Sequence, residues 1–137
     1  MDRSSTARLY CLLIGAALVL AGLIGFFYEA SFAAGDEIVS DKAFGLLAVN
    51  GWHNVVRMAI GFVLLAAAGG AARASAMLFG VLYLVLAALG FTATGGVLFD
   101  IVPVNDEDNV LHIVLGVTGV IAALATPKGA PAAATAP

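Results

Sequence analysis

The stretch Asn54-Val-Val-Arg57-Met-Ala-Ile-Gly61 recurs as Asn109-Val-Leu-His112-Ile-Val-Leu-Gly116, 55 residues further on. Each copy opens on an amide, carries a basic or imidazole side chain about one turn in, and closes on a glycine within an otherwise apolar run. The repeat extends back into the preceding loops, where Phe44, Val49 and Asn50 correspond to Phe99, Val104 and Asn105 at the same offset. Upstream of those loops, Gly15 to Gly25-Phe26 matches Gly80 to Gly90-Phe91 with the same ten-residue spacing. The chain therefore reads as two similar helix-loop-helix halves in parallel orientation.

Composition identifies the solvent. With 62% hydrophobic and 11% charged residues and a mean hydropathy of +1.05, the chain lies far from soluble usage, in which about a quarter of residues are charged. It is expected to live in a bilayer. Four apolar segments, about 7–28, 52–72, 74–91 and 109–126, approach the ~20 residues that a spanning helix needs. Gly69-Gly70 and Arg73 leave room only for a tight turn between the second and third, so helices one and two pair, as do three and four. The expected fold is all-α: an integral membrane four-helix bundle made of two parallel helix-loop-helix repeats, occupying residues 8–126. Residues 1–7 form a short cytoplasmic N-terminus. Residues 127–137 form a disordered cytoplasmic tail, since Pro127 and the Ala/Pro/Thr sequence after it cannot continue a helix. Parallel halves are usually related by an axis along the membrane normal, which predicts that helices two and four are neighbours.

Orientation follows from the basic residues. Arg3, Arg8, Arg73 and Lys128 fall on one side of this four-span arrangement and Lys42 on the other, so both termini are expected in the cytoplasm. Glu29, Asp36, Glu37, Asp41, Asp100, Asp106, Glu107 and Asp108 then lie on the outer side. Trp52 and Tyr28 fall at the outer interface and Tyr10 near the inner one, where amphipathic rings are favoured. Arg3 and Arg8 before an apolar run, with Ser31-Phe-Ala33 after it, superficially resemble a secretory signal. The glycine match between segments one and three favours a retained helix.

Helical periodicity gathers the polar side chains. His53, Arg57 and Gly61 share one face at i, i+4 and i+8, and Asp108, His112 and Gly116 share the corresponding face of helix four. Gly61, Gly116 and Gly119 are expected to let helix backbones approach closely, as apolar helices do in lipid. Asn50 or Asn54, and Asn105 or Asp106, are candidate N-caps. Arg57 lies about 7 Å inside its helix at 1.5 Å per residue, where a charge must pair or face water. Asp108 is the expected partner, with Glu107 second. The polar cluster of His53, Asn54, Arg57, Asp108, Asn109 and His112 is thus the candidate site, either structural or ligand-binding.

His53 and His112 are the only two histidines. Facing histidines on two helices can ligate a b-type haem, and His53, His112, Asp108 and Glu107 offer donors to a divalent transition metal. The histidines hold non-equivalent repeat positions, however: His53 matches Asp108, and Arg57 matches His112. No spacing motif marks a metal site, so no cofactor is the first expectation. Titration of the histidines, with an ordinary pKa near 6.5, would make a proton or ligand sensor. Cys11 is the single cysteine, which excludes an intramolecular disulfide. There is no phosphate loop, serine nucleophile motif or HExxH pattern. The net charge of −3 and the lack of a basic cluster argue against nucleic acid.

The pattern Val49-Asn50-x-x-His53-Asn54-x-x-Arg57-x-x-x-Gly61, followed by Val104-Asn105-Asp106-x-Asp108-Asn109-x-x-His112-x-x-x-Gly116, resembles the small bacterial membrane family catalogued as domain of unknown function 4383. The likeness covers roughly residues 8 to 126. It implies four helices, with a His-Asn-x-x-His-x-x-x-Gly stretch entering helix two. Here Arg57 stands at that second histidine, which removes one ligand from any metal or haem role resting on the position. The expectation is a non-enzymatic protein of the bacterial cytoplasmic membrane, an accessory, interaction or structural component. Its partners would be the lipid bilayer and a larger membrane complex or further copies of itself. A haem- or metal-binding redox module and a proton or ligand sensor are the alternatives.

Overall fold

A computed structural model describes residues 5–129. Four helices carry most of the described residues: α1 (Thr6–Gly25), α2 (Gly51–Ala67), α3 (Ala72–Thr92) and α4 (Asp106–Ala125). Short strands β1 (Asp41–Ala43) and β2 (Leu47–Val49) form an antiparallel hairpin before α2, and β3 (Val97–Leu98) and β4 (Val102–Pro103) form another before α4. α1, α3 and α4 are 20, 21 and 20 residues long with mean hydropathies of 2.2, 2.2 and 1.7, long and apolar enough to cross a membrane. α2 has 17 residues and rises only about 26 Å. The expected segments 1–7 and 127–137 fall partly on residues 1–4 and 130–137, which lie outside the described residues.

Helix limits follow local chemistry more closely than apolarity alone. α1 was expected to reach Tyr28 but stops at Gly25. Phe27 and Tyr28 instead donate to Ile24 and Gly25 carbonyls in a closing turn. α2 was expected to reach residue 72 but stops at Ala67, where Ala68, Gly69, Gly70 and Ala71 make the tight turn to α3. α4 starts three residues earlier than its apolar run, because Asn105 caps it and Asp106, Glu107 and Asp108 occupy its first turn. Acidic groups are favoured there by the helix dipole. At the opposite end Arg73 Nε donates to the Thr126 carbonyl, 3.0 Å away, close to the end of α4.

The two hairpins are a departure from the all-α expectation. In each, two consecutive residues of the connecting turn take positive φ: Phe44 (55°) with Gly45 (69°), and Phe99 (56°) with Asp100 (59°). These conformations are uncommon for bulky side chains, and no Asn-Gly pair marks either turn. The correspondence of Phe44 with Phe99 was the available signal.

The main packing is α1 on α2 and α3 on α4. Gly15 meets Gly61, and Gly80 meets Gly116: a Cβ on Gly15 would sit 2.9 Å from the Gly61 carbonyl, and one on Gly116 2.9 Å from that of Gly80. Gly119 faces Tyr10 and Ala76. The expectation that α2 and α4 are backbone neighbours is not met. α1 is the helix that packs along both α3 and α4. Small buried residues explain this, since Ala7, Cys11, Ala72, Ala76 and Ala123 let α1 approach near the chain termini. The Tyr10 hydroxyl donates to the Leu115 carbonyl at 2.9 Å. At the hairpin end, larger polar side chains hold α2 and α4 apart and span the gap between them.

Candidate functional site

The site is built where α2 and α4 begin. Asn50 caps α2 by accepting from the His53 amide, 2.9 Å away, and Asn105 caps α4 by accepting from the Asp108 amide at 2.9 Å. Each capping side chain also reaches the opposite hairpin. Asn50 Nδ2 donates to the Ile101 carbonyl (2.8 Å) and Asn105 Nδ2 to the Leu46 carbonyl (2.6 Å). Asn50 matches Asn105 and Leu46 matches Ile101 at the 55-residue offset, so these two bonds are reciprocal.

Below them Arg57 Nη2 on α2 donates to Asp108 Oδ1 on α4 at 2.9 Å. Asp108 is fully buried and Arg57 is 7% exposed. The second carboxylate oxygen accepts from the amides of Ala48 (2.9 Å) and Asn105 (3.3 Å). Removing an ionised carboxylate from water is costly unless its oxygens are paired and hydrogen-bonded. Asp108 has that set of partners from α2, β2 and its own helix cap. Glu107, the second candidate partner for Arg57, is exposed and takes no part.

The two asparagines do a different job. Asn54 Nδ2 donates to the Glu29 carbonyl at 2.9 Å. The side-chain oxygens of Asn54 and Asn109 occupy the places where a Cβ on Gly25 and on Gly90 would stand. Both asparagines are buried and both oxygens lack a hydrogen-bond partner among the described residues. Asn54 therefore locks α1 against α2, and Asn109 locks α3 against α4, through matched glycines.

His53 and His112 are 4% and 8% exposed, and neither Nδ1 has a partner among the described residues. The His112 ring lies 5.4 Å from the Tyr83 ring. Both imidazoles and Arg57 line a cavity of about 170 Å³ between α2, α3 and α4, with Leu18 of α1 in its wall and the β3–β4 hairpin at one end. Tyr83 and the cavity were not read from the sequence. Tyr83 is apolar in pattern and sits on a helix whose polar role nothing marked. The proposed metal donors do not assemble: no group of three or more His, Cys, Asp or Glu side chains comes together for a metal ion among the described residues.

A largely helical chain with three helices long and apolar enough to span a membrane, and a buried polar cluster at their hairpin end, has the character of a small multi-helix membrane protein. Residues 3–125 match the family model described as a domain of unknown function (DUF4383), and the chain belongs to that family. No curated protein and no solved structure matches it.

Proposed function

We propose that this is a non-enzymatic, multi-pass protein of the bacterial cytoplasmic membrane, a four-helix bundle of two parallel helix-loop-helix repeats. It acts as an accessory or interaction component whose buried cluster sets how the halves dock. The observation that carries this reading is the Arg57–Asp108 pair. It links α2 to α4, two helices with little backbone contact, so the register of the halves depends on it. The reciprocal bonds of Asn50 and Asn105 support the repeat.

Both termini face the cytoplasm and the hairpins face outward. Arg8, Arg73 and Lys128 at the terminal end, against Lys42 at the hairpin end, support this orientation. Trp52 sits at the outer interface, its ring packed edge-on against Phe32 with centroids 5.2 Å apart. Haem gains no support from the site, because a cavity of about 170 Å³ is on the scale of one that holds benzene and much too small for a porphyrin. A divalent metal gains none either, since both Asp108 oxygens are already engaged.

Melting of detergent-purified variants tests the docking role. Arg57→Leu is expected to lower the midpoint more than Arg57→Leu combined with Asp108→Asn, because the single change strands a buried carboxylate. Equal midpoints for the two would sink the reading.

A further inference from the structure

We propose that the cavity beside Arg57 is a binding site for a neutral, lipophilic ring compound bearing a carbonyl, of the quinone class. The inference rests on the reading that α2 and α3 lie in lipid, and goes beyond it by assigning an occupant.

Three observations carry it. The volume of about 170 Å³ slightly exceeds the ~150 Å³ of an apolar cavity that holds benzene, so the space fits one substituted six-membered ring. The polar side chains are His53, Arg57, Tyr83 and His112, while Ile60, Leu86 and Leu98 make much of the remaining wall. An occupant must therefore be apolar, with an acceptor on the edge that meets these donors. Arg57 spends one of its N–H groups on Asp108 and keeps others to offer; each imidazole has a free Nδ1, a donor in one of its tautomers. Because Asp108 already balances the guanidinium, the site is close to neutral and favours a carbonyl over a carboxylate. The ring's substituent has a way out: α2 and α3 touch only sparsely, and Val56 on the α2 rim is 40% exposed. A tail leaving between these helices enters the hydrocarbon layer.

The test uses the full chain in nanodiscs of synthetic phosphatidylcholine, titrated calorimetrically with decylubiquinone against empty discs. Saturable binding at one site per chain is expected. Ile60→Trp, which fills the cavity from its half-buried rim, and His112→Leu are each expected to weaken it at least tenfold. Their melting midpoints should stay near that of the unaltered protein; if Ile60→Trp does not fold, Val102→Phe serves in its place. Absence of saturable binding above empty discs, or affinity unchanged by both substitutions, overturns the proposal. Solvent extraction of protein purified from native membranes adds a second arm. A quinone or related ring carbonyl recovered in proportion to the chain supports it. An acyl chain that decylubiquinone cannot displace overturns it. Failure of the underlying membrane reading would instead appear as chain left outside the discs.

Discussion

The cluster contains two crossings between α2 and α4 that occupy matched repeat positions and hold opposite chemistry. At the first, Arg57 of α2 reaches Asp108 of α4 at 2.9 Å. At the second, the residues matched to these are His112 of α4 and His53 of α2, and both line the cavity with an unpartnered Nδ1. The hairpins explain the division. Asp108 takes an N–H from Ala48, whereas the residue matched to Ala48 is Pro103, which has no N–H to give. A carboxylate at position 53 would lack that donor. One crossing is thus a closed electrostatic clamp, and the other is a pair of imidazoles left facing open space.

The largest expected effect comes from breaking the closed crossing. Arg57→Leu leaves a carboxylate buried without its cation, a class of change that costs about 3–5 kcal/mol. Adding Asp108→Asn is expected to recover a large part of that loss in the same detergent melts. If the double variant melted below the single one, the carboxylate would be held by Ala48 and Asn105 alone and the clamp would not be ionic.

Next come the two glycine locks, which compare the halves directly. Gly25→Ala drives a methyl group into the Asn54 amide, and Gly90→Ala does the same to Asn109. Overpacking of this kind costs about 1–3 kcal/mol. Asn54 is tied to the Glu29 carbonyl, and no matching bond holds Asn109 among the described residues. Gly25→Ala should therefore be the more damaging of the two, and an equal or reversed order of midpoints would show that the amide's tether does not matter.

Ala48→Pro sharpens the comparison further by giving the first crossing the second one's proline. It deletes a hydrogen bond to a buried charge, worth about 1.5–3 kcal/mol. The same variant in the Asp108→Asn background should lose less. A double-mutant cycle with no coupling between positions 48 and 108 would break the explanation offered for the asymmetry.

Much of this was legible in the chain. The 55-residue offset identified Asn50 and Asn105 among the candidate caps, and the placing of Arg57 against Asp108 followed from a charge inside an apolar helix. The mutual position of the helices was not legible. Gly61 and Gly116 were expected to let helix backbones approach, and each does so within its own helix pair, on Gly15 and Gly80. A glycine shows that a backbone comes close without saying whose. The strands were missed because Phe44 and Phe99 adopt positive φ against the ordinary preference of aromatic residues. The cavity was invisible since it is the space left between four helices, and no residue type encodes it.

The smallest expected effect is at the open crossing. Each imidazole is as well buried as Arg57, but the hydrogen-bond pattern argues that its removal costs less. His112 donates and accepts nothing through Nδ1 among the described residues; replacing it with leucine strands no partner and exchanges a polar ring for an apolar group beside Tyr83 and Leu86. Substitutions that remove a polar group without orphaning another are close to neutral. His112→Leu is therefore expected to move the melting midpoint by no more than the equivalent of about 1 kcal/mol in either direction. A loss approaching that of Arg57→Leu would mean that the imidazoles clamp the halves as the ion pair does. A near-neutral result leaves a buried histidine that stability does not require, which is the pattern expected of a residue kept for something that enters the cavity.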